Sequence, residues 1–365
     1  MKKILAVSGD PGGARAMLAV LDYLEAQHVG FVIVDHKFLG QMTPPHWSRI
    51  AVAGGSLDAV AEAYTGQRFG VTLFASSVAD LLPLRIARMS KEFGVPVVHL
   101  LDSWSAYAQR MCKDGQAMLV PEIYAVMDDE AFREAIADGI PESVLRVTGQ
   151  PALSSLSKEC HADADARKHY LNTQNLDPLR RTFCFVSEPV KADRAAGHKI
   201  AMDGRFDELN ILESVCAAIQ DQSEDVQLVV APHPRENPDN IRARLEGWRG
   251  RLKAIVLRES TGREAVRFSD GVVGMSSILL YEAWLLGKQV LSIQPGVEPS
   301  SAAAMLRRPG LRIVSDMEKL KELFDGLLAG DCRTSFERSQ AVMEMARHEK
   351  APEAVLSCIR NVSLR

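Results

Sequence analysis

The chain has 365 residues, of which 47% are hydrophobic and 25% charged, with a formal net charge of −4. This length exceeds a single typical core, so two domains are expected, and the composition is that of an ordinary globular protein. The slightly acidic balance argues against nucleic acid or an anionic membrane as the main partner. No stretch approaches the roughly 18 apolar residues of a membrane span, and peripheral membrane contact stays open. The six cysteines form no C-x-x-C pair, which favours a reduced, cytoplasmic chain.

Short apolar runs alternate with helical patterns from the N-terminus onward. "KILAVS" is followed by a Gly-rich turn and by "ARAMLAVLDYLEAQ", whose apolar residues recur at helical spacing. Further apolar runs follow in "GFVIVD", "VTLFAS", "VPVVHLL", "IYAVMD" and "VLRVTG", several with helical segments between them. Such strand–helix repetition predicts a parallel sheet that helices cover on both faces.

A polar stretch without strand patterns, residues 154–181, interrupts this order. The order returns with "TFCFVSEP", "VQLVVAPHP", "AIVLRES", "GVVGMSS" and "QVLSIQP", and residues 324–359 have helical patterns only. We therefore predict an N-terminal α/β domain over residues 1–155, a linker over 156–181, a second α/β domain over 182–330, and C-terminal helices over 331–365. Packing of these helices back onto the first domain is left open.

Two loops of the first domain carry candidate site residues, because open parallel sheets bind ligands at the carboxyl ends of their strands. In "SGDPGGAR", Gly12, Gly13 and Arg15 surround a predicted helix start, where free N–H groups suit an anion or a sugar; a tight turn is the alternative. The loop matches neither G-x-G-x-x-G nor a Walker A motif. In "HLLDSWSAY", Asp102 follows an apolar strand and is predicted to be either a general base or a helix N-cap.

The loop "VVAPHPREN" carries the candidate histidine of the second domain. His233 lies between Pro232 and Pro234, so its backbone is stiff and offers few donors. A fixed imidazole suits hydrogen bonding to a phosphate or a sugar, and Arg235 adds charge. A purely structural histidine is the alternative.

The stretch "GMSSILLYEA" places two serines at the start of an apolar helix that contains a glutamate. Ser276 and Ser277 fall at the N-cap, where the helix dipole favours an anion such as phosphate. The carboxylate of Glu282 leans toward the same end of the helix, and two ribose hydroxyls would satisfy it. The alternative is a capping serine with a glutamate paired to Arg263 or Arg267.

Four of these segments together resemble the GT-B superfamily of nucleotide-sugar enzymes, which includes glycosyltransferases and the non-hydrolysing UDP-N-acetylglucosamine 2-epimerases. "RVTGQPAL" is similar to the "TGNP" element of the epimerases and several transferases. "APHPREN" is similar to the "KPHP" element of capsule and teichoic-acid transferases, and to the His-Pro motif of bacterial sialyltransferases and Kdo transferases. "GVVGMSSILLYEAWLLGKQVLSI" resembles a donor-binding segment, and "SEPV" followed by "FDE" resembles a further segment of such transferases.

The resemblance implies two Rossmann-like domains that face each other across a cleft. It implies that the C-terminal domain binds the donor nucleotide through His233, Arg235, Ser276, Ser277 and Glu282. It also implies an acceptor site in the N-terminal domain around Gly12, Gly13 and Asp102. Two departures stand out, since "LLDSW" has one acid and no glycine where the transferases have an acidic pair before a glycine, and the "EAG" element of the epimerases is absent.

The resemblance therefore implies a glycosyltransferase that moves a sugar from a UDP- or CMP-linked donor to a polysaccharide or glycoconjugate acceptor. Asp102 would act as the base, and His233 would stabilise the charge of the leaving nucleotide. No cofactor is expected, and no metal, because no D-x-D motif stands at the end of a strand. The alternatives are an epimerase or hydrolase acting on a nucleotide sugar, and a two-domain binder that does no chemistry. The oligomeric state stays unpredicted.

Overall fold

The apolar runs of the sequence form the strands of two parallel sheets, each in its own unit of the chain. The computed structural model describes residues 2–52, 54–67, 69–112, 116–159, 164–220, 226–248, 252–258, 262–328 and 333–363. Unit 1 comprises residues 1–155 and 344–365, and unit 2 comprises residues 156–343.

Unit 1 contains a seven-stranded sheet in the order β3-β2-β1-β4-β5-β6-β7, with every neighbouring pair parallel. Its strands are β1 (Ile4–Ser8), β2 (Phe31–Asp35), β3 (Arg49–Ala51), β4 (Val71–Ala75), β5 (Val97–Leu100), β6 (Ile123–Val126) and β7 (Leu145–Val147). The central strands β1 and β4 are buried throughout, as expected for a sheet covered on both faces. The helices between these strands are α1 (Pro11–Ala26), α2 (Lys37–Met42), α3 (Asp58–Gln67), α4 (Leu82–Glu92) and α5 (Asp129–Ala137).

Unit 2 contains a six-stranded parallel sheet in the order β10-β9-β8-β11-β12-β13. Its strands are β8 (Arg181–Val186), β9 (Val226–Ala231), β10 (Leu252–Val256), β11 (Gly271–Gly274), β12 (Gln289–Ile293) and β13 (Arg312–Val314). Its helices are α6 (Leu156–Glu159), α7 (Ala164–Thr173), α8 (Val190–Ala195), α9 (Glu208–Gln220), α10 (Pro238–Leu245), α11 (Gly262–Phe268), α12 (Ile278–Leu285) and α13 (Leu320–Leu328). The segment predicted as a linker thus contains α6 and α7, and α7 packs against α11.

The chain ends in two helices, α14 (Ser335–Glu349) and α15 (Ala351–Ser363). The apolar face of α15, which includes Val355, Leu356 and Ile359, belongs to the hydrophobic core of unit 1 and contacts α1. The residue Gly149 of the "TGQP" element lies against this end of the chain, because a Cβ there would come within 2.6 Å of the carbonyl oxygen of Arg347.

Each sheet has one switch point, where the strand order reverses beside its first strand. In unit 1 the switch point lies between β1 and β4, and in unit 2 it lies between β8 and β11. Loops that leave the carboxyl ends of neighbouring strands diverge at such a point and leave a crevice for a ligand. The fold therefore directs attention to the residues that follow these four strands and their neighbours.

The structure also describes the cysteines and the possible membrane-spanning helices. Cys112, Cys184, Cys216 and Cys358 have free thiols, while Cys160 and Cys332 lie outside the described residues. Within the described part of the chain, no helix is both long and apolar enough to cross a membrane.

Candidate functional site

The Gly-rich segment after β1 is the first turn of α1 rather than a loop before it. The helix begins at Pro11, so Gly12 and Gly13 are helical, and Arg15 is exposed on the same helix. A Cβ on Gly12 would lie 2.7 Å from Oδ2 of Asp102, and a Cβ on Gly13 would lie 2.6 Å from Oγ of Ser8. Glycine is needed at position 12 because the backbone approaches the Asp102 carboxylate closely.

Asp102 pairs with an arginine that the sequence analysis did not single out. Its Oδ1 accepts a hydrogen bond from Nη1 of Arg110 at 2.5 Å, and both side chains are about nine-tenths buried. Arg110 also donates to the carbonyl oxygens of Ser76 and Ser105, while Gln150 donates to the carbonyl oxygen of Asp102. Asp102 does not cap a helix, since bends follow it. Its charge is balanced by Arg110, and Oδ2 faces Gly12.

His99 lies beside this pair on β5 and is fully buried. Its Nε2 lies 3.3 Å from the backbone nitrogen of Ser76 and 3.1 Å from Oγ of the same residue. Burial, followed by the charge of Arg110, holds the pKa of His99 well below its usual value. A neutral imidazole packed between Phe74 and Tyr124 is a core residue that fixes the end of β4.

On the other side of the segment after β1 lies a second polar cluster that sequence reasoning missed. His36 directly follows β2, Asp80 lies in the loop after β4, and Nε2 of His36 is 2.8 Å from Oδ2 of Asp80. Nζ of Lys37 lies 3.2 Å from the same oxygen. A Cβ on Gly9 would lie 1.7 Å from that oxygen, so the glycine makes room for Asp80. The signal in the sequence was a polar residue after each apolar run, in "VIVDHK" and "FASSVAD".

In unit 2, His233 is held by its own loop in one orientation. Its backbone N–H donates to Oε2 of Glu236 at 2.6 Å, and its Nδ1 accepts the backbone N–H of Arg235 at 3.1 Å. In the neutral imidazole the hydrogen is therefore on Nε2, which is a donor. Burial, followed by the charge of Arg235, lowers the pKa of His233, which favours that neutral form.

Arg235 does not add a free charge to this loop, because it forms a bidentate pair with Asp193. The two N–O distances are 2.5 and 3.0 Å. His233 lines a cavity of about 170 Å³, together with Glu236, Arg258 and Gly262. Ligand pockets measure roughly 300 to 1,000 Å³, so this cavity has room for only part of a nucleotide.

The start of α12 holds an anion of the protein itself. The carboxylate of Glu188, two residues after β8, accepts the backbone N–H of Ser276 at 2.5 Å and its Oγ at 3.0 Å. Burial raises the pKa of Glu188, although the hydrogen bonds from Ser276 and Ser277 oppose the shift. Ser277 is the N-cap of α12, with its Oγ accepting from the backbone of Leu279. The N–H and hydroxyl donors of Ser276, predicted to bind a phosphate, are thus occupied by a carboxylate of the protein itself.

Residues after β8 connect this helix start with the loop of His233. Ser187 donates from Oγ to Oε1 of Glu236 at 2.7 Å, and Glu188 follows directly in the chain. Burial raises the pKa of Glu236, and the nearby charges of Glu208 and Glu188 raise it further. His233 and Ser276, predicted from separate motifs, therefore lie on loops that meet at the end of β8.

Glu282 forms an ion pair with Arg263, which is one of the two partners that the sequence offered as the alternative to ribose. Nε and Nη2 of Arg263 donate to its two carboxylate oxygens at 2.7 and 2.8 Å, and the Glu282 side chain is only 3% exposed. Arg267 instead lies over the ring of Phe268. Each carboxylate oxygen keeps a second lone pair, so a role toward ribose stays a prediction that must coexist with Arg263. Among the described residues, no cluster of histidine, cysteine and acidic side chains could hold a metal ion.

Comparisons with known proteins show which solved structures have a similar fold. No family model matches the sequence, and no curated protein matches it. The UDP-GlcNAc 2-epimerase from Neisseria meningitidis bound to UDP-GlcNAc is similar at 14% identity and a TM-score of 0.67, covering 98% of this chain and 100% of that one. A glycosyltransferase from Rickettsia africae is similar at 11% identity and a TM-score of 0.68, covering 99% and 98%.

A third structure, HepE from Anabaena in complex with UDP, is similar at 13% identity and a TM-score of 0.65, covering all of both chains. The chain thus has the fold shared by UDP-GlcNAc 2-epimerases and GT-B glycosyltransferases over nearly its whole length. The predicted pair of Rossmann-like sheets followed by C-terminal helices is confirmed. The fold is that of nucleotide-sugar enzymes, and the particular activity is a separate question.

Proposed function

We propose that the protein is a glycosyltransferase that transfers a sugar from a UDP- or CMP-linked donor to a polysaccharide or glycoconjugate acceptor. Unit 2 binds the donor nucleotide, and unit 1 binds the acceptor beside Gly12, Gly13 and Asp102. Uracil is the first base to test, because the Anabaena structure contains UDP and the Neisseria structure contains UDP-GlcNAc.

The observation that carries the proposal is the way Ser276 holds the carboxylate of Glu188. Two oxygens of one anion accept a backbone N–H and a hydroxyl at the positive end of α12, and a phosphate presents oxygens of the same kind. In the proposed complex with a UDP-linked donor, the β-phosphate takes the place of the Glu188 carboxylate. The Nε2–H of His233, on the adjoining loop, then donates to the same diphosphate as the sugar bond breaks.

The first experiment is thermal unfolding with millimolar UDP, CMP, CDP, GDP and NAD in parallel. A ligand at one hundred times its dissociation constant adds about 2.7 kcal/mol to the stability, which moves the midpoint by degrees. We expect a rise with a pyrimidine nucleotide. His233→Gln should weaken that nucleotide about 10- to 100-fold, the effect of losing a hydrogen bond to a charged group.

The matched control is His169→Gln, an exposed histidine on α7 of the same unit. Its nucleotide affinity should equal that of the unaltered protein. A folded protein whose midpoint none of the five nucleotides raises would contradict the proposal. Equal weakening by the two histidine variants would contradict the role of His233.

The runner-up activity is epimerisation or hydrolysis of a nucleotide sugar, favoured by the several UDP-GlcNAc 2-epimerases among the similar structures. The two activities differ in their need for an acceptor. UDP-N-acetylglucosamine, UDP-glucose and CMP-N-acetylneuraminic acid should each be incubated alone and with glycan acceptors. Isomerised sugar from a donor alone identifies the epimerase, whereas slow release of nucleotide that an acceptor accelerates identifies the transferase. Nucleotide binding without turnover of any donor would indicate a binding protein that does no chemistry.

A further inference from the structure

β10 is an edge strand of the sheet in unit 2, and one of its sides has no neighbouring strand. The strand order ends at β10, which pairs with β9 alone among the described strands. The backbone N–H of Leu257 donates to the carbonyl oxygen of Val230, and hydrogen bonds to a parallel neighbour come from every second residue of a strand. Ile255 therefore also bonds to β9, whereas the N–H and C=O groups of Ala254 and Val256 point away from the sheet.

These outward groups are open to a partner. Within the described part of the chain, no hydrogen bond from outside the sheet reaches the backbone of Ala254 or Val256. Edge strands are usually protected by charges, prolines, bulges or a covering segment. β10 has the sequence "LKAIV", and Nζ of its single charged residue, Lys253, donates to the carbonyl oxygen of Asn175. β10 therefore presents free backbone donors and acceptors without the usual protection.

A cavity of about 870 Å³ lies along this edge. Its volume is within the range of ligand sites, which measure roughly 300 to 1,000 Å³. Residues 254–256 of β10 line the cavity, and so does the face of α7 that carries Ala166, Tyr170 and Thr173 at helical spacing. The ring of Tyr170 stacks on that of Phe268 with centroids 4.9 Å apart, so this wall is aromatic. The cavity thus joins the free edge of β10 to a surface that can hold side chains.

Helices α10 and α11 line the same cavity from the two faces of the sheet. α10 leads outward from β9 to β10, and α11 leads back from β10 to β11, so right-handed crossovers place them on opposite faces. β10 therefore lies at the bottom of a groove between helices. A second copy of the chain could not pair its own β10 here, because that strand lies behind the same helices. A single extended chain is narrow enough to reach the edge.

The charges around this groove favour an acidic occupant. Arg258 directly follows the end of the β10 ladder, is exposed, and forms no ion pair among the described residues. Arg242 of α10 pairs with Asp239, whose side chain is 81% exposed, and a pair so open to water compensates the arginine only weakly. Of the described residues that line the groove, Glu264 is the only carboxylate. The groove therefore carries an excess of positive charge.

We propose that this groove binds an extended, acidic peptide segment of a partner protein, which adds one more strand to the sheet beside β10. The backbone of the peptide exchanges hydrogen bonds with Ala254 and Val256. Every second side chain of the peptide enters the cavity, and its carboxylates lie near Arg242 and Arg258. The proposed nucleotide site does not take part, so the two proposals are independent. Arg258 also borders the smaller cavity of His233 and is left unchanged in the test.

The probes are fluorescein-labelled peptides of about seven residues with alternating valine and threonine, long enough to span the five residues of β10. Two aspartates replace residues at the start, the middle or the end, and a matched set carries lysines at the same places. Fluorescence anisotropy with the whole protein gives the dissociation constants. We expect at least one acidic peptide to bind below about 200 μM, and its lysine counterpart to bind at least tenfold more weakly.

N-methylation of alternate amides tests the strand geometry, because only every second residue of an added strand bonds to β10. Methyl groups on one alternate set of amides should weaken binding at least tenfold, whereas those on the other set should change it less than threefold. Val256→Pro should also weaken binding about tenfold. Proline at this position removes only an outward N–H, so the ladder to β9 is kept.

A pair of arginine variants on α10 tests the charge. Arg242→Glu should weaken the acidic peptide about 3- to 10-fold. Arg244→Glu is the matched control, since Arg244 lies on the same helix but does not line the cavity, and its affinity should stay within twofold of the original. Equal effects of the two variants, or lysine peptides that bind as tightly as the acidic ones, would contradict an acidic occupant.

Three other results would overturn the proposal. The acidic peptides fail to bind below about 200 μM, the two methylated sets differ less than threefold in affinity, or Val256→Pro binds as tightly as the unaltered protein. The methylated peptides give the answer even if Val256→Pro does not fold. Nucleotide binding is measured on the same samples without peptide, so failure of the peptide site and failure of the proposed function are separate results.

Discussion

Removing Arg263 should destabilise unit 2 much more than neutralising Glu282, although the two residues form one pair. Arg263→Met leaves the carboxylate of Glu282, which is 3% exposed, without its cation. Breaking a buried pair in this way typically costs 3–5 kcal/mol. The Arg263 side chain is 39% exposed, so water relieves part of the loss, and we expect about 2–3 kcal/mol. Glu282→Gln keeps the shape and one hydrogen bond, and should cost about 1 kcal/mol.

The assay is equilibrium unfolding in urea, followed by tryptophan fluorescence. Trp284 lies two residues from Glu282 and stacks on Tyr281, so its emission reports on this helix. For domains of this size, 1 kcal/mol corresponds to about 2–4 °C in the thermal midpoint, which provides an independent measurement. The double variant Arg263→Met/Glu282→Gln should recover about 1 kcal/mol relative to Arg263→Met, because no buried charge is left.

Arg267→Met is the matched control for this series. It removes an arginine one helical turn away, whose contact with the ring of Phe268 is worth about 0.5–1 kcal/mol. The reasoning is refuted if Arg263→Met and Glu282→Gln destabilise equally, or if the double variant is less stable than Arg263→Met. Either result would mean that Glu282 is solvated and does not depend on its partner.

Three further changes test other contacts. Gly12→Ala forces a Cβ to within 2.7 Å of Asp102 and should lower turnover with nucleotide affinity unchanged, which calorimetry and a release assay separate. Glu188→Gln should bind UDP about 3- to 30-fold more tightly, because the diphosphate no longer displaces a charged carboxylate from α12; equal or weaker binding would contradict that competition. The raised pKa of Glu188 means that its contribution to folding stability is complete below about pH 4.5 and is lost as the pH rises and the carboxylate ionises. Glutamine does not ionise, so Glu188→Gln should become more stable relative to the original protein between pH 4 and pH 7, as measured by urea titrations. Gly149→Ala, at a φ of 88° and with its Cβ 2.6 Å from the carbonyl of Arg347, should destabilise unit 1 by roughly 3 kcal/mol, and a midpoint unchanged by the substitution would contradict the packing of α14 there.

Much of the fold could be predicted because its signals are local. Most strands are short apolar runs and most helices have an apolar repeat of about 3.6 residues, so each can be recognised within one window of sequence. The two edge strands β3 and β13 were not predicted, because three residues are too few for such a pattern. The helix start at Ser277 was predicted for the same reason, since an N-cap and the N–H groups it serves are neighbours in the chain. The bounds of α1 were less accurate. Two glycines suggest a loop, and only the close approach of Asp102 to Gly12 and of Ser8 to Gly13 explains why they stand inside a helix.

The sequence by itself determined that the chain forms two α/β units with parallel sheets, and it located candidate site residues after four of the strands, β1, β5, β9 and β11. The tertiary structure alone decided which of these residues meet. Three pairs that hydrogen-bond are far apart in the chain: Glu188 and Ser276 are separated by 88 positions, His36 and Asp80 by 44, and Arg263 and Glu282 by 19. Such pairs depend on which strands become neighbours at a switch point and on how closely their loops approach. Neither property produces a repeating pattern in the sequence. The energy of an ion pair depends on the distance between the charges and on their burial, and both are set by the folded structure.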